Sequence, residues 1–413
     1  MKKYFFFAAA ALVALAACSK VELDPSATPD VRIGFQVAKY MPQTKGTFGE
    51  GTSIWGEWTN PTFYTFAFYY PAVGNGNQTY MNNVQINPYK SDGTTAADTE
   101  ANTAIWKSAV DYFWPKTGYI NFFSYASKRD IHNSVSFADV ANAETKTVSF
   151  GTADSPLTIA SDDNILLADA CYNATEANSA PTFVNNITGT DETTPGGVPT
   201  LFHHLLSQVK FQAKLRSEKA HANTSYEVDI ISANITTAAE TDPTSGLYNN
   251  GFLTATSEAK TGTALDTKDW NLSGTQAWSA ATTASYEPVV VMTPTSSALV
   301  LPVQATPAEH FSTGDFHVLL AARTFRPQAI ASDVKFTITY KVRALHDSVK
   351  YSEETITATV DLDELTPNSG VWRCNDSVTY NVYIDPVTTA ITFDPAVAAW
   401  TGATGTVNIP ATS

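Results

Sequence analysis

From Val334 to Val342 the chain alternates without a break: Val334, Phe336, Ile338, Tyr340 and Val342 are separated by Lys335, Thr337, Thr339 and Lys341. Successive side chains of a strand point to opposite faces, so this period of two predicts a strand with one buried and one wet face. Val209, Phe211, Ala213 and Leu215 alternate with Lys210, Gln212, Lys214 and Arg216 in the same way. Ile356, Ala358 and Val360 alternate with threonines, and Tyr380, Val382 and Ile384 repeat the pattern before Ile391 and Phe393. Threonine, valine and aromatic residues suit such a half-buried pleat. Helical periodicity is scarce, with short helices expected only at Ala97–Lys107 and Pro307–Ser312. Turn-rich clusters at Pro71–Asn77, Asp191–Pro199 and Asp242–Gly246 punctuate the gaps. Strands divided by turns, with few helices, predict an all-β chain built of sandwiches. Glu176–Pro199 is polar and rich in Asn, Thr, Gly and Pro; it reads as a long loop or interdomain connection, which places a boundary near residue 200. No short-period internal repeat is visible.

The first residues follow a different rule. Lys2 and Lys3 precede the uncharged, mostly apolar stretch Tyr4–Ala17. That stretch is shorter than the roughly 20 residues a membrane helix needs and matches the apolar region of a secretory signal. It exits through Leu15-Ala16-Ala17-Cys18, which resembles the lipobox of bacterial lipoproteins, with Cys18 as the residue that receives diacylglycerol. Each buried acyl CH2 contributes about 0.8 kcal/mol, so several chains on one cysteine would hold the protein at a membrane without a spanning helix. Residues 1–18 are therefore expected to be a lipoprotein signal ending at the lipidated cysteine.

Length and charge narrow the picture. The chain has 413 residues, enough for two domains. The formal net charge of −15 argues against nucleic-acid binding, which needs clustered Lys and Arg on phosphates. Charged residues make up only 16%, as on weakly charged extracellular β surfaces. Beyond Cys18 only Cys171 and Cys374 remain, read as two buried thiols with a single disulfide as the alternative.

Candidate chemistry is sparse. His203-His204 is the only histidine pair, and adjacent residues on a strand point apart, so no metal site is expected there. Asp361, Asp363 and Glu364 offer oxygens for calcium but lack the loop glycine and regular spacing, and a solvated turn is the expectation. No nucleophile elbow, zinc-protease helix motif or phosphate loop is present, and neither a catalytic residue nor a cofactor is expected. The aromatic clusters Phe63–Tyr70 and Tyr112–Trp114 are read as core in preference to sugar-stacking platforms. Asp347-Ser348-Val349 and Asp376-Ser377-Val378 resemble the O-glycosylation acceptor of secreted Bacteroidia proteins, making Ser348 and Ser377 candidate acceptors.

Several stretches together resemble one family. They are Tyr112-Phe113-Trp114-Pro115 with Ile120–Tyr125, Asp162–Ala168, Phe202–Phe211, Val291–Pro294, Tyr380–Ile384, Ile391–Phe393 and Val397–Trp400. In this order they are similar to the motifs of fimbrillin-like proteins, subunits of the Bacteroidia type V pilus. The resemblance implies two tandem transthyretin-like β-sandwiches, over 46–200 and 201–413, with 19–45 as a removable first strand and linker. It implies export to the outer membrane as a surface lipoprotein, then cutting by a trypsin-like protease after a basic residue that follows the first strand. Lys45 matches that position, and Arg32 is a poorer candidate because it lies within the strand. Val31, Ile33, Phe35 and Val37 alternate in the strand that would leave. Thr406, Val407, Asn408 and Ile409 form the candidate donor strand, after the glycine-bearing segment 402–405. Partners implied are other fimbrial subunits and a host or bacterial receptor. Known subunits carry arginine at the cut where this chain has lysine, so an uncut, permanently anchored subunit stays open. The reading from another class is a surface lipoprotein that binds glycans or host ligands and never polymerises.

Overall fold

The computed structural model describes residues 31–37, 54–73, 76–90, 92–99, 103, 105–139, 144–179, 197–217, 223–237, 247–272, 278–279, 289–292, 299–301, 311–387 and 391–399. Strands dominate these residues, and the helices Glu176–Ser179, Leu362–Leu365 and Pro367–Gly370 are single turns. The chain is all-β.

The alternating segments form one pair of facing sheets. Ser207–Ser217 lies between Phe311–Phe325 and Asp376–Ile384, with Ile391–Ala399 beyond. Opposite it, Lys335–His346 lies between Thr224–Thr236 and Val349–Asp361. Burial alternates strictly along Ser207–Ser217, as the period of two requires. The inner faces share one core, where the Phe211 ring stacks on Phe336 at 4.6 Å and on Tyr380 at 4.5 Å. Asp347 and Ser348 form the two-residue turn between Lys335–His346 and Val349–Asp361, both at positive φ, as the twist of a tight hairpin demands.

A larger sheet is built differently. Its strands run, from one edge, Val198–Thr200, Phe35–Val37, Ile105–Ser108, Gln78–Tyr89, Phe63–Tyr70, Tyr119–Ser127, Ala170–Ala174 and Asp266–Lys268. Ile165–Ala168 also pairs with Tyr119–Ser127 and carries Phe202–His204 on its other side. Phe63–Tyr70 and Tyr119–Ser127 are buried on both faces. Phe123 and Tyr125 enter one core with Phe66 and Phe68, while Phe122 and Ala126 enter the other with Phe63 and Ala67. Two-sided burial explains why Ile120–Ala126 shows no regular alternation; even the polar Asn121 and Ser124 are buried there.

Three local expectations need correction. Ile105–Ser108, expected within a helix, is a strand paired with Gln78–Tyr89, and Ala96 bridges to Tyr89. Ile105 and Trp106 are both buried there, and sheet packing overrides weak helical propensity. Phe311 opens a strand that runs to Phe325, so the end of the second expected helix is extended; residues 307–310 lie outside the described residues. The expected loop Glu176–Pro199 contains a helical turn at its start and, at its end, the strand Val198–Thr200.

Sheet pairing also crosses residue 200. Leu253–Thr256 pairs with Lys146–Phe150, Asn250–Gly251 with Leu157–Thr158, and Asp266–Lys268 with Ala170–Ala174. Trp270 and Trp278 are buried in the core that Phe123 and Phe150 occupy.

Candidate functional site

Two places gather unusual local chemistry. One is the seat of the leading segment, residues 31–37. Ile33 N–H donates to Tyr112 O at 2.7 Å, and Trp114 N–H donates to Val31 O at 2.9 Å. Phe35 then faces Trp106 in antiparallel register, while Phe35–Val37 runs parallel to Val198–Thr200 on the other side. The segment is thus paired along both edges. Ile33 and Phe35 are buried, and the Phe35 ring meets Phe63 and Phe122 edge-on at 5.4 and 5.5 Å. Gly197 makes the parallel neighbour possible. Its φ is +114°, and a Cβ there would lie 2.9 Å from Gly34 O and from Phe35 C. Only glycine allows that approach without displacing the backbone.

Arg32 shows why a position within this strand is a poor protease target. It bridges to Phe113 and its guanidinium pairs with Asp111 at 3.2 Å, so a protease would have to lift a paired segment to cut there. Cys18, Lys45 and the candidate donor strand Thr406, Val407, Asn408 and Ile409 lie outside the described residues.

The other place surrounds the histidine pair. His203 and His204 are fully buried on Phe202–His204 and face opposite ways, as adjacent strand residues must. His204 Nδ1 lies 2.9 Å from Asn164 Oδ1, and its Nε2 lies 3.3 Å from Glu57 Oε1. Burial lowers the His204 pKa, against the pull of Glu57. His203 turns to Asp169 instead, with Nε2 at 3.0 Å from Oδ1. Asp269 completes this group, and the three ligand atoms lie within 4.8 Å of one another. Burial, then the neighbouring Asp169 carboxyl, pushes Asp269 up to about 6. Among the described residues this is the one grouping of three or more His, Cys, Asp or Glu side chains that converges in this way. Sequence reading treats the histidines as a pair and misses the carboxylates, which come from segments distant in the chain. No local spacing announces them.

Asp361 belongs to no such group; its carboxylate pairs with Lys335, and Asp363 and Glu364 sit on the helical turn Leu362–Leu365. Phe63–Tyr70 is a central strand of the large sheet and Trp114 is buried. Cys171 and Cys374 are thiols not joined in a disulfide. Cys171 is buried, Cys374 is partly so, and burial raises the pKa of both, Cys374 up to about 12. Of the candidate acceptors, Ser348 sits exposed in its hairpin turn, whereas Ser377 is half-buried on a central strand and its hydroxyl donates to Gln208 Oε1 at 3.0 Å.

No protein-family model matches the chain, and no curated protein matches it by sequence. Solved structures similar to it include a fimbrial protein from Bacteroides vulgatus, at 16% identity and a TM-score of 0.45 over 90% of this chain and 100% of that one. A cell-adhesion candidate from Parabacteroides distasonis aligns at 10% identity and a TM-score of 0.39, covering 90% and 99%. The fimbrial anchor protein Mfa2 from Porphyromonas gingivalis aligns at 8% identity and a TM-score of 0.24, covering 89% and 98%. At these TM-scores, functional assignment rests on the chain's own residues.

Beside Ser377, burial pushes Asp376 up to about 6 against the opposing pull of Arg373. The unfolded carboxyl titrates near 3.8, so between 3.8 and 6 the folded chain holds more protons. Stability therefore falls as pH rises through that window and stays lowered above it. The fall contributed by Asp376 amounts to at most about 2–3 kcal/mol. Asp376→Asn is expected to remove it, so that from pH 4 to pH 6 stability changes less unfavourably in the variant than in the parent. Denaturant unfolding at pH 4 and pH 6 checks this.

Proposed function

We propose that this chain is a structural or anchoring subunit of a cell-surface fimbria, assembled by strand exchange and serving adhesion. The observation that carries the reading is the seat of residues 31–37, a leading strand paired on both edges and pinned by Ile33 and Phe35. Removing such a strand exposes unpaired backbone groups and an apolar slot, which an incoming strand can satisfy. The remaining steps rest on residues 1–30, 38–53 and 400–413. The chain is exported as a lipoprotein through Cys18 and held at the outer membrane. A trypsin-like protease cuts after Lys45, and the segment ending in Thr406–Ile409 fills the slot of a neighbouring subunit. A division into two sandwiches is supported by one core drawn from residues 209–397 and two others drawn largely from residues 31–278. In this division residues 250–279 belong with the first body.

Mild trypsin treatment of the mature protein tests the reading. The expected outcome is conversion of the monomer into high-mass ladders that persist in SDS. A chain trimmed at Lys45 that stays monomeric contradicts it.

A further inference from the structure

We propose that Asp169, His203 and Asp269 bind one divalent transition-metal ion of the zinc class, which clamps the returning segment 250–272 onto the large sheet. The inference is independent of fimbrial assembly. The three side chains come from three places: Asp169 from the junction between Ile165–Ala168 and Ala170–Ala174, His203 from Phe202–His204, and Asp269 from just after Asp266–Lys268. Their ligand atoms already lie within 4.8 Å of one another, and the His203 imidazole is fully buried with Nε2 aimed into the group. Two carboxylates at such a separation repel unless a proton or a cation lies between them. The imidazole selects among cations. Calcium and magnesium prefer all-oxygen shells, while zinc and its neighbours accept mixed nitrogen and oxygen ligands. Three protein ligands and a water make a usual zinc set.

The surroundings favour the same occupant. Lys268, next to Asp269 in the chain, pairs with Asp266 at 3.5 Å, and Glu258 adds negative charge beside Asp269. The backbone holds both carboxylate ligands in place. Asp169 N–H donates to Leu201 O at 2.9 Å, and Glu258 N–H donates to Asp269 O at 2.9 Å. The Trp270 indole N–H donates to Ala168 O at 2.7 Å, locking the residue after one ligand to the residue before another. Asp269 is partly exposed, which gives an ion a way in. His204 takes no part, because it faces Glu57 and Asn164.

The test is calorimetric titration of the chelator-treated chain 19–413 with zinc chloride, alongside Asp269→Asn, His203→Gln and the surface control His132→Gln. One equivalent of zinc is expected on the parent chain and on the control. Binding should weaken by roughly ten-fold or more in both ligand variants, since lost ligation typically costs at least that factor. Should His203→Gln fail to fold, Asp269→Asn decides, its side chain being partly exposed. Cobalt loading should give visible absorption bands that the Asp269→Asn variant loses. No zinc uptake by the parent chain, uptake unchanged in Asp269→Asn, or calcium bound as tightly as zinc overturns the proposal.

Discussion

Truncating Phe35 to alanine is expected to lower the unfolding free energy of the uncut chain by about 3–5 kcal/mol, the range for a buried aromatic ring removed from a packed core. The ring is 2% exposed and wedged between Phe63 and Phe122. Its backbone is held on both sides, by Val198–Thr200 and Ile105–Ser108, so the site has little freedom to collapse around the void. The effect should be specific to the uncut state. If residues 19–45 leave on maturation, Phe35 leaves with them, and fibres assembled from Phe35→Ala chains should resist SDS and heat as well as fibres of the parent. Denaturant titration of the monomer and melting of the ladder measure the two halves of this expectation.

Deleting residues 402–413 should have the opposite signature. These residues would serve a neighbour, so the uncut monomer should melt as the parent does. Trypsin treatment should then produce trimmed monomers and no ladder. The expected loss is complete because a donor strand is needed at every junction. Each apolar side chain it buries contributes about 1.5–3 kcal/mol, and each backbone bond about 0.5–1.5, so a strand lacking Val407 and Ile409 has little left to hold it. A ladder that survives the deletion would locate the donor elsewhere in the chain.

Legibility in the sequence followed the physics of one-sided burial. Lys335–His346 and Ser207–Ser217 each have one wet face, so their alternation announced both the strand and its buried positions. Tyr119–Ser127 has no wet face, so it lacks the alternation that would say which residue serves which core. Ile105–Ser108 offered only short apolar content, and its partner Gln78–Tyr89 decided its state. The parallel pairing of Phe35–Val37 with Val198–Thr200 joins residues far apart in the chain, and periodicity carries no record of a partner. The same limit applies to Asp169, His203 and Asp269. The pairing of residues 250–268 with Leu157–Thr158, Lys146–Phe150 and Ala170–Ala174 was hidden for that reason too.

The most direct measurement is peptide complementation. The chain is trimmed after Lys45 and freed of residues 19–45 under mild denaturant. It is then returned to buffer with a synthetic peptide of residues 401–413 and followed by native mass spectrometry and thermal melting. The expected result is a one-to-one complex that melts well above the trimmed chain alone. A trimmed chain that melts like the uncut protein without peptide, or that ignores the peptide, would contradict the claim that the large sheet is completed by an exchangeable strand.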